Sequence, residues 1–254
     1  MHRDPLTWGP PYQGTLSSLR AAAEADPSDL AARYAYANKL VHVGRAAEGN
    51  ALIASIREED PEGRTPMGAR LLWWDALALA RAGSPDPEQR ASWNLEPLYA
   101  CVDERFPSEV QFEAWNEIAL AQRERRDLPQ AAEAYAAAEP HVDPSRLGEW
   151  GFEVVVWVWR ERELAERAQA RFALRLAERV REEAERQLAA APAPEDGGPD
   201  AEQRASIRAD VLGLLARAQW LNGRERAARR SLERALELLP EDEDLRSLAA
   251  QLDA

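Results

Sequence analysis

The sequence predicts an all-α protein made of short helices paired in antiparallel hairpins. Three observations carry this. Alanine, leucine, glutamate and arginine, all good helix formers, dominate the chain. Turn signals recur at fairly even distances: Asp26-Pro27, Gly44, Asp60-Pro61, Gly83, Phe106-Pro107, Asp143-Pro144, Gly223 and Pro240. The segments between them run to about 12–17 residues, ordinary helix length. Long β-branched alternation is absent. Even Val154-Val155-Val156-Trp157-Val158 runs on into charged residues without a breaker, which favours a buried helix over a strand.

The chain opens with a half unit, Leu19, Ala22 and Pro27. Residues 30–63 then form a first full unit, with Tyr36, Ala37 and Leu40 before the turn at Gly44, and Gly49, Ile53 and Ile56 after it. A second begins near Ala69 with Leu72, Ala76 and Leu79. Its second helix falls into frame, through Leu95, Tyr99, Val102 and Pro107, only if about seven extra residues sit in the turn, a length that a surface loop tolerates. The polar insertion 84–94, ending near Trp93, is either a specificity loop or a tolerated surface excursion. The third unit, 112–145, carries Trp115, Ile118, Ala119 and Gln122, then Ala131, Tyr135 and Ala138. The fourth starts near Glu149 with Phe152, Val155, Val156 and Trp159, then Ala168 and Phe172. Arg175 takes a place normally small, and without a closing proline the second helix is expected to overrun to about Leu188. Residues 191–201, rich in proline, glycine and acid, read as a flexible connector. In 202–254, Leu212, Leu215, Ala216 and Gln219 precede the turn at Gly223, and Ala228, Leu232 and Ala235 lead to Pro240.

These units resemble the tetratricopeptide repeat, a pattern of about 34 residues reading W-x2-L-G-x2-Y, then A-x3-F, then P. The alternative is a generic helical bundle. The resemblance implies a right-handed superhelical solenoid, with an array over 1–190, the connector 191–201 and a C-terminal hairpin over 202–254 packed on the array. One hairpin cannot bury its apolar face, so neighbours must stack. The family also implies a concave groove lined by the first helices. Its facing positions here include Tyr34, Asn38, Arg70, Trp73, Trp74 and Leu77. Further along they include Glu113, Asn116, Glu117, Trp150, Glu153, Trp157, Arg160 and Trp220.

Five of the nine tryptophans fall on that implied face. Buried tryptophans dominate binding hot spots. The expected partner is therefore another protein or peptide, extended or helical, with apolar anchors and arginine or lysine to meet Glu113, Glu117 and Glu153. The rings could equally be internal filling, covered by the long helix or by the N-terminal stretch Pro5–Tyr12. A clamp for a C-terminal carboxylate, known in chaperone-binding members, is disfavoured, because Glu113 and Glu117 stand where cations are needed. Leu164, Ala168, Phe172, Leu176, Val180, Ala184 and Leu188 recur at every fourth place, so the helix over 160–190 reads either as packing across two units or as the arm of a homodimer.

Composition narrows the function classes. The chain has 254 residues, 45% hydrophobic and 30% charged, with a formal net charge of -13. That field opposes nucleic acid and anionic membranes. Cys101 is the single cysteine, and His2, His42 and His141 lie far apart, so neither a disulfide nor a metal site is expected. No glycine-rich phosphate loop or serine elbow occurs, and no cofactor is implied, which favours binding over catalysis. The N-terminus lacks an apolar core of signal-peptide length, giving a cytoplasmic expectation. Lys39 is the only lysine, a bias that either a GC-rich bacterial genome or a preference for fixed bidentate cations would explain.

Overall fold

The computed structural model describes residues 14–253, so the expectation for Pro5–Tyr12 lies outside the described residues. Among those residues the chain is all-helical, with no strand. It divides into two compact units, Met1–Glu124 and Arg125–Ala254. The boundary falls inside the third sequence unit, not at the 191–201 stretch.

The first unit holds α1 (Leu16–Ala25), α2 (Leu30–His42), α3 (Ala46–Glu59), α4 (Pro66–Ala82), α5 (Glu96–Tyr99) and α6 (Ser108–Glu124). The helix starts are set by local side chains. Thr15 accepts from the Ser18 amide, Asp29 from Ala31 and Ala32, and Thr65 from Gly68, satisfying amides that have no partner inside the helix. Gly44, at φ +85°, turns α2 back onto α3. The two helices then approach so closely that a Cβ on Gly49 would lie 2.5 Å from the Ala37 carbonyl oxygen. Tyr34, Ile56, Met67 and Leu71 form the core where α2, α3 and α4 meet.

Asp60 joins α3 to α4. It ends α3, and its buried carboxylate accepts from the Arg64 amide (2.8 Å), the Thr65 amide (2.8 Å) and the Thr65 hydroxyl (2.6 Å). Burial alone would raise its pKa, but these donors outweigh burial and hold it below the ordinary aspartate value.

The second helix of the second unit is much shorter than the frame suggests. Only Glu96–Tyr99 is helical. Leu95 is buried as the frame expects, and its neighbour Leu98 is buried too, whereas Tyr99 is exposed and meets Trp115 edge-on at 6.0 Å. Residues up to Asn94 belong to the insertion and Pro107 lies close ahead, so little chain remains for a helix. Cys101 is buried beside this short helix, and burial pushes its thiol up to about 11.

The second unit holds α7 (Leu128–Ala138), α8 (Pro144–Arg160), α9 (Arg167–Ala190), α10 (Ala201–Leu221), α11 (Glu225–Leu238) and α12 (Glu243–Asp253). Gly151 of α8 lies under α9; a Cβ there would sit 2.5 Å from Val180 Cγ2. α10 packs against α8, α9 and α11. The overrun of the fourth unit is real, since α9 reaches Ala190, but it begins at Arg167. A continuous arm over 160–190 does not form: α8 ends at Arg160 and residues 161–166 make a turn. Phe172, Leu176, Val180 and Leu188 are buried within this unit, so α9 offers no apolar row to a second copy. Leu164 lies exposed in the turn.

Arg175, too large for its frame position, reaches out of the interface. With Arg179 it donates to Glu139 (2.8 and 2.7 Å), whose carboxylate is buried at the end of α7. The stretch after α9 is a folded turn. Gly197 takes φ +85°, and Arg204 of α10 donates to the Leu188 (2.8 Å) and Pro199 (2.9 Å) carbonyls. The one helix without a sequence signal is α12. Its Leu245, Leu248 and Leu252 cover α10 and α11, with Leu245 against Gly213.

Arg126 holds φ +60° two residues before α7, the place that Gly44 holds before α3 and Gly223 before α11. A left-handed side-chain-bearing residue costs about 1–2 kcal/mol, and glycine's extra unfolded freedom returns roughly half of that. Arg126→Gly is therefore expected to raise stability by about 0.5–1 kcal/mol, read as a higher urea midpoint at unchanged slope. Asp60 has a depressed folded pKa, so its contribution is complete above the unfolded value of about 3.9 and is lost as pH falls through the folded value. The stability gap between wild type and Asp60→Asn is expected to be widest at neutral pH and to close below about pH 4.

Candidate functional site

The first unit carries a cleft of about 340 Å³ between α2, α3 and α4. Residues three, four and seven apart share a helix face, and Trp74, Leu77, Ala78 and Arg81 line the α4 wall. Tyr34 of α2 supplies the floor, its ring 5.3 Å from that of Trp74. Ile53 and Arg57 come from α3. At the rim Arg57 and Asp75 form a two-pronged ion pair of 2.7 and 3.0 Å. The lining is mainly apolar with a few fixed charges.

Of the residues expected in the groove, Tyr34, Trp74 and Leu77 meet in this cleft. Trp73 does not. Successive helical residues point about 100° apart, which turns Trp73 into the core at 3% exposure. Asn38 is half-buried on α2. Arg70 lies between Glu113 (2.7 Å) and Glu109 (2.6 Å). Burial alone would lower the Arg70 pKa, but the two carboxylates more than offset it.

Glu117 is held by Arg90 of the insertion at 2.7 Å, with Glu124 3.6 Å from the same guanidinium. Glu113 and Glu117 thus meet arginines of their own unit, where a basic partner was expected to meet them. Asn116, on the same helix, is half-buried.

In the second unit Trp150 and Trp157 are 8% and 4% exposed, their rings 6.0 and 5.4 Å from Tyr135. These indoles are filling among α7 and α8, not free faces. Glu153 and Arg160 are exposed on α8. Trp220 is half-buried against the α10–α12 core with Arg229 5.9 Å over its ring. Arg217 of α10 has a buried Nε with no hydrogen bond among the described residues. Burial draws its pKa down; Asp244 opposes this, and the like charge of Arg160 adds to it.

Sequence reasoning missed Ile53 and Arg57, because the family pattern places the groove on first helices alone, and Asp75, which lies on α4 outside the facing positions. The i, i+4 spacing of Ile53 and Arg57 was the available signal. It also missed the inward role of Arg90 and Trp93. Comparison with family models finds no match, and comparison with curated proteins finds none. No helix among the described residues is long and apolar enough to cross a membrane.

The two adjacent tryptophans are expected to separate cleanly by mutation. Trp73→Ala removes a fully packed indole and costs about 3–5 kcal/mol, whereas Trp74→Ala costs under about 2 kcal/mol because its ring is only partly covered. Thermal melts of the two variants check this.

Proposed function

We propose that this protein is a non-catalytic interaction module of the tetratricopeptide type. Its hairpins stack as a right-handed superhelical solenoid, and its α2–α3–α4 cleft receives a short apolar segment of another protein. The cleft itself carries the reading. A half-covered tryptophan and an aligned leucine stand between fixed charges, so one apolar side chain can be buried while the rim sets its direction. The turn glycines Gly44 and Gly223, and the fully buried Ala37 and Ala216 seven residues before them, support the repeat assignment because they fall at matching places in two units. The paired state of Glu113 and Glu117 removes most of the support for a basic ligand here, so apolar anchoring is the main term.

The test uses a displayed library of random peptides selected on the wild-type chain. Selected peptides are expected to contain a large apolar residue and to lose at least tenfold in affinity on both Trp74→Ala and Leu77→Glu, with circular dichroism unchanged. Peptides that bind both variants as well as wild type overturn the assignment of this cleft.

A further inference from the structure

Next to the cleft, α4 and α6 form a second surface, and the chain covers it with its own insertion. The insertion leaves α4 at Gly83 and returns at Asn94, whose amide donates to the Ala80 carbonyl at 3.0 Å. Arg90 reaches Glu117 of α6 at 2.7 Å and Glu124 at 3.6 Å. The Ala91 amide donates to the Glu124 carboxylate at 3.1 Å. Three residues after Arg90, Trp93 is 5% exposed, with the guanidinium groups of Arg81 and Arg90 5.5 and 5.4 Å from its ring. Arg81 also lines the α2–α3–α4 cleft, so the two surfaces adjoin.

This is the arrangement by which a foreign segment would be held. A charge-assisted bond anchors one arginine, a backbone amide meets a carboxylate, and one aromatic ring is buried. The remaining insertion residues are largely exposed or half-buried and bond mostly to one another, as in Ser84 with Ser92 and the Trp93 indole with Pro87. Release of the insertion breaks the Arg90, Ala91 and Asn94 bonds and the Arg81–Glu88 pair, the kind of local opening that lies below global unfolding.

We propose that residues 84–94 are an intramolecular ligand. They hold an acidic α4–α6 docking face for a partner segment bearing an arginine three residues before an aromatic, and such a segment competes for that face. This rests on the interaction-module reading but, apart from Arg81, uses different residues from the cleft.

The probe is a fluorescein-labelled peptide of residues 84–94. Arg90→Ala/Trp93→Ala is expected to vacate the face and to bind this peptide at least tenfold more tightly than wild type, read by anisotropy. Adding Glu117→Gln to that double variant is expected to weaken binding about tenfold. A folded double variant that ignores the peptide, or binding equal to wild type, overturns the proposal. Formation of a dimer in place of peptide uptake overturns it too, because the occupant would then be a second copy. If the double variant does not fold, hydrogen exchange of wild type decides. The Ala91 and Trp93 amides are expected to exchange faster than those of the α6 centre, and exchange only with global unfolding overturns the proposal. Loss of peptide binding leaves the cleft reading standing, since the library selection tests Trp74 and Leu77 alone.

Discussion

Paired helices in this protein approach so closely that a single methyl group would collide. Gly49 meets the backbone of α2, Gly151 meets Val180, and Gly213 meets Leu245. Each absence of a side chain lets a larger residue opposite fill the space, as dense interiors require. The rest follows from that spacing. Aromatic side chains beside these contacts have few places to go, so Trp150 and Trp157 sink into the second unit against Tyr135, while Trp74 is left half-covered at the edge of the first.

Charge is arranged by the same economy of space. The acidic residues that matter structurally are answered inside their own unit: Glu113 by Arg70, Glu117 by Arg90, Glu139 by Arg175 and Arg179. Arginine suits this because its fork can serve two carboxylates at once, as Arg70 does between Glu109 and Glu113. Such partly buried pairs add little net stability, but each fixes which helix faces lie together. A large negative formal charge therefore says less about the ligand than it first suggests.

Much of the helical framework was legible in the residues. Gly44 and Gly223 close turns where the frame placed them, and Ala37, Ile118, Ala138 and Ala235 are buried at their repeat positions. The site was harder to read, for two reasons. A frame assigns a residue to one side of a helix, but it does not show how far the next helix covers that side, and Trp73 and Trp157 were lost to that difference. A frame also ignores insertions. The stretch at 84–94 read as either a specificity loop or a surface excursion, and its arginine and tryptophan lie against α6 and α4. α12 escaped because it lies beyond the last recognisable proline.

The burial of Cys101 has a practical meaning for chemistry on this chain. Burial pushes its thiol up to about 11 and covers the sulfur, so little thiolate is present at neutral pH. The native protein is in effect silent toward maleimides, oxidants and disulfide exchange. A cysteine introduced anywhere on its surface would then be the single reactive handle, so spectroscopic labels can be attached at chosen sites without removing the natural residue.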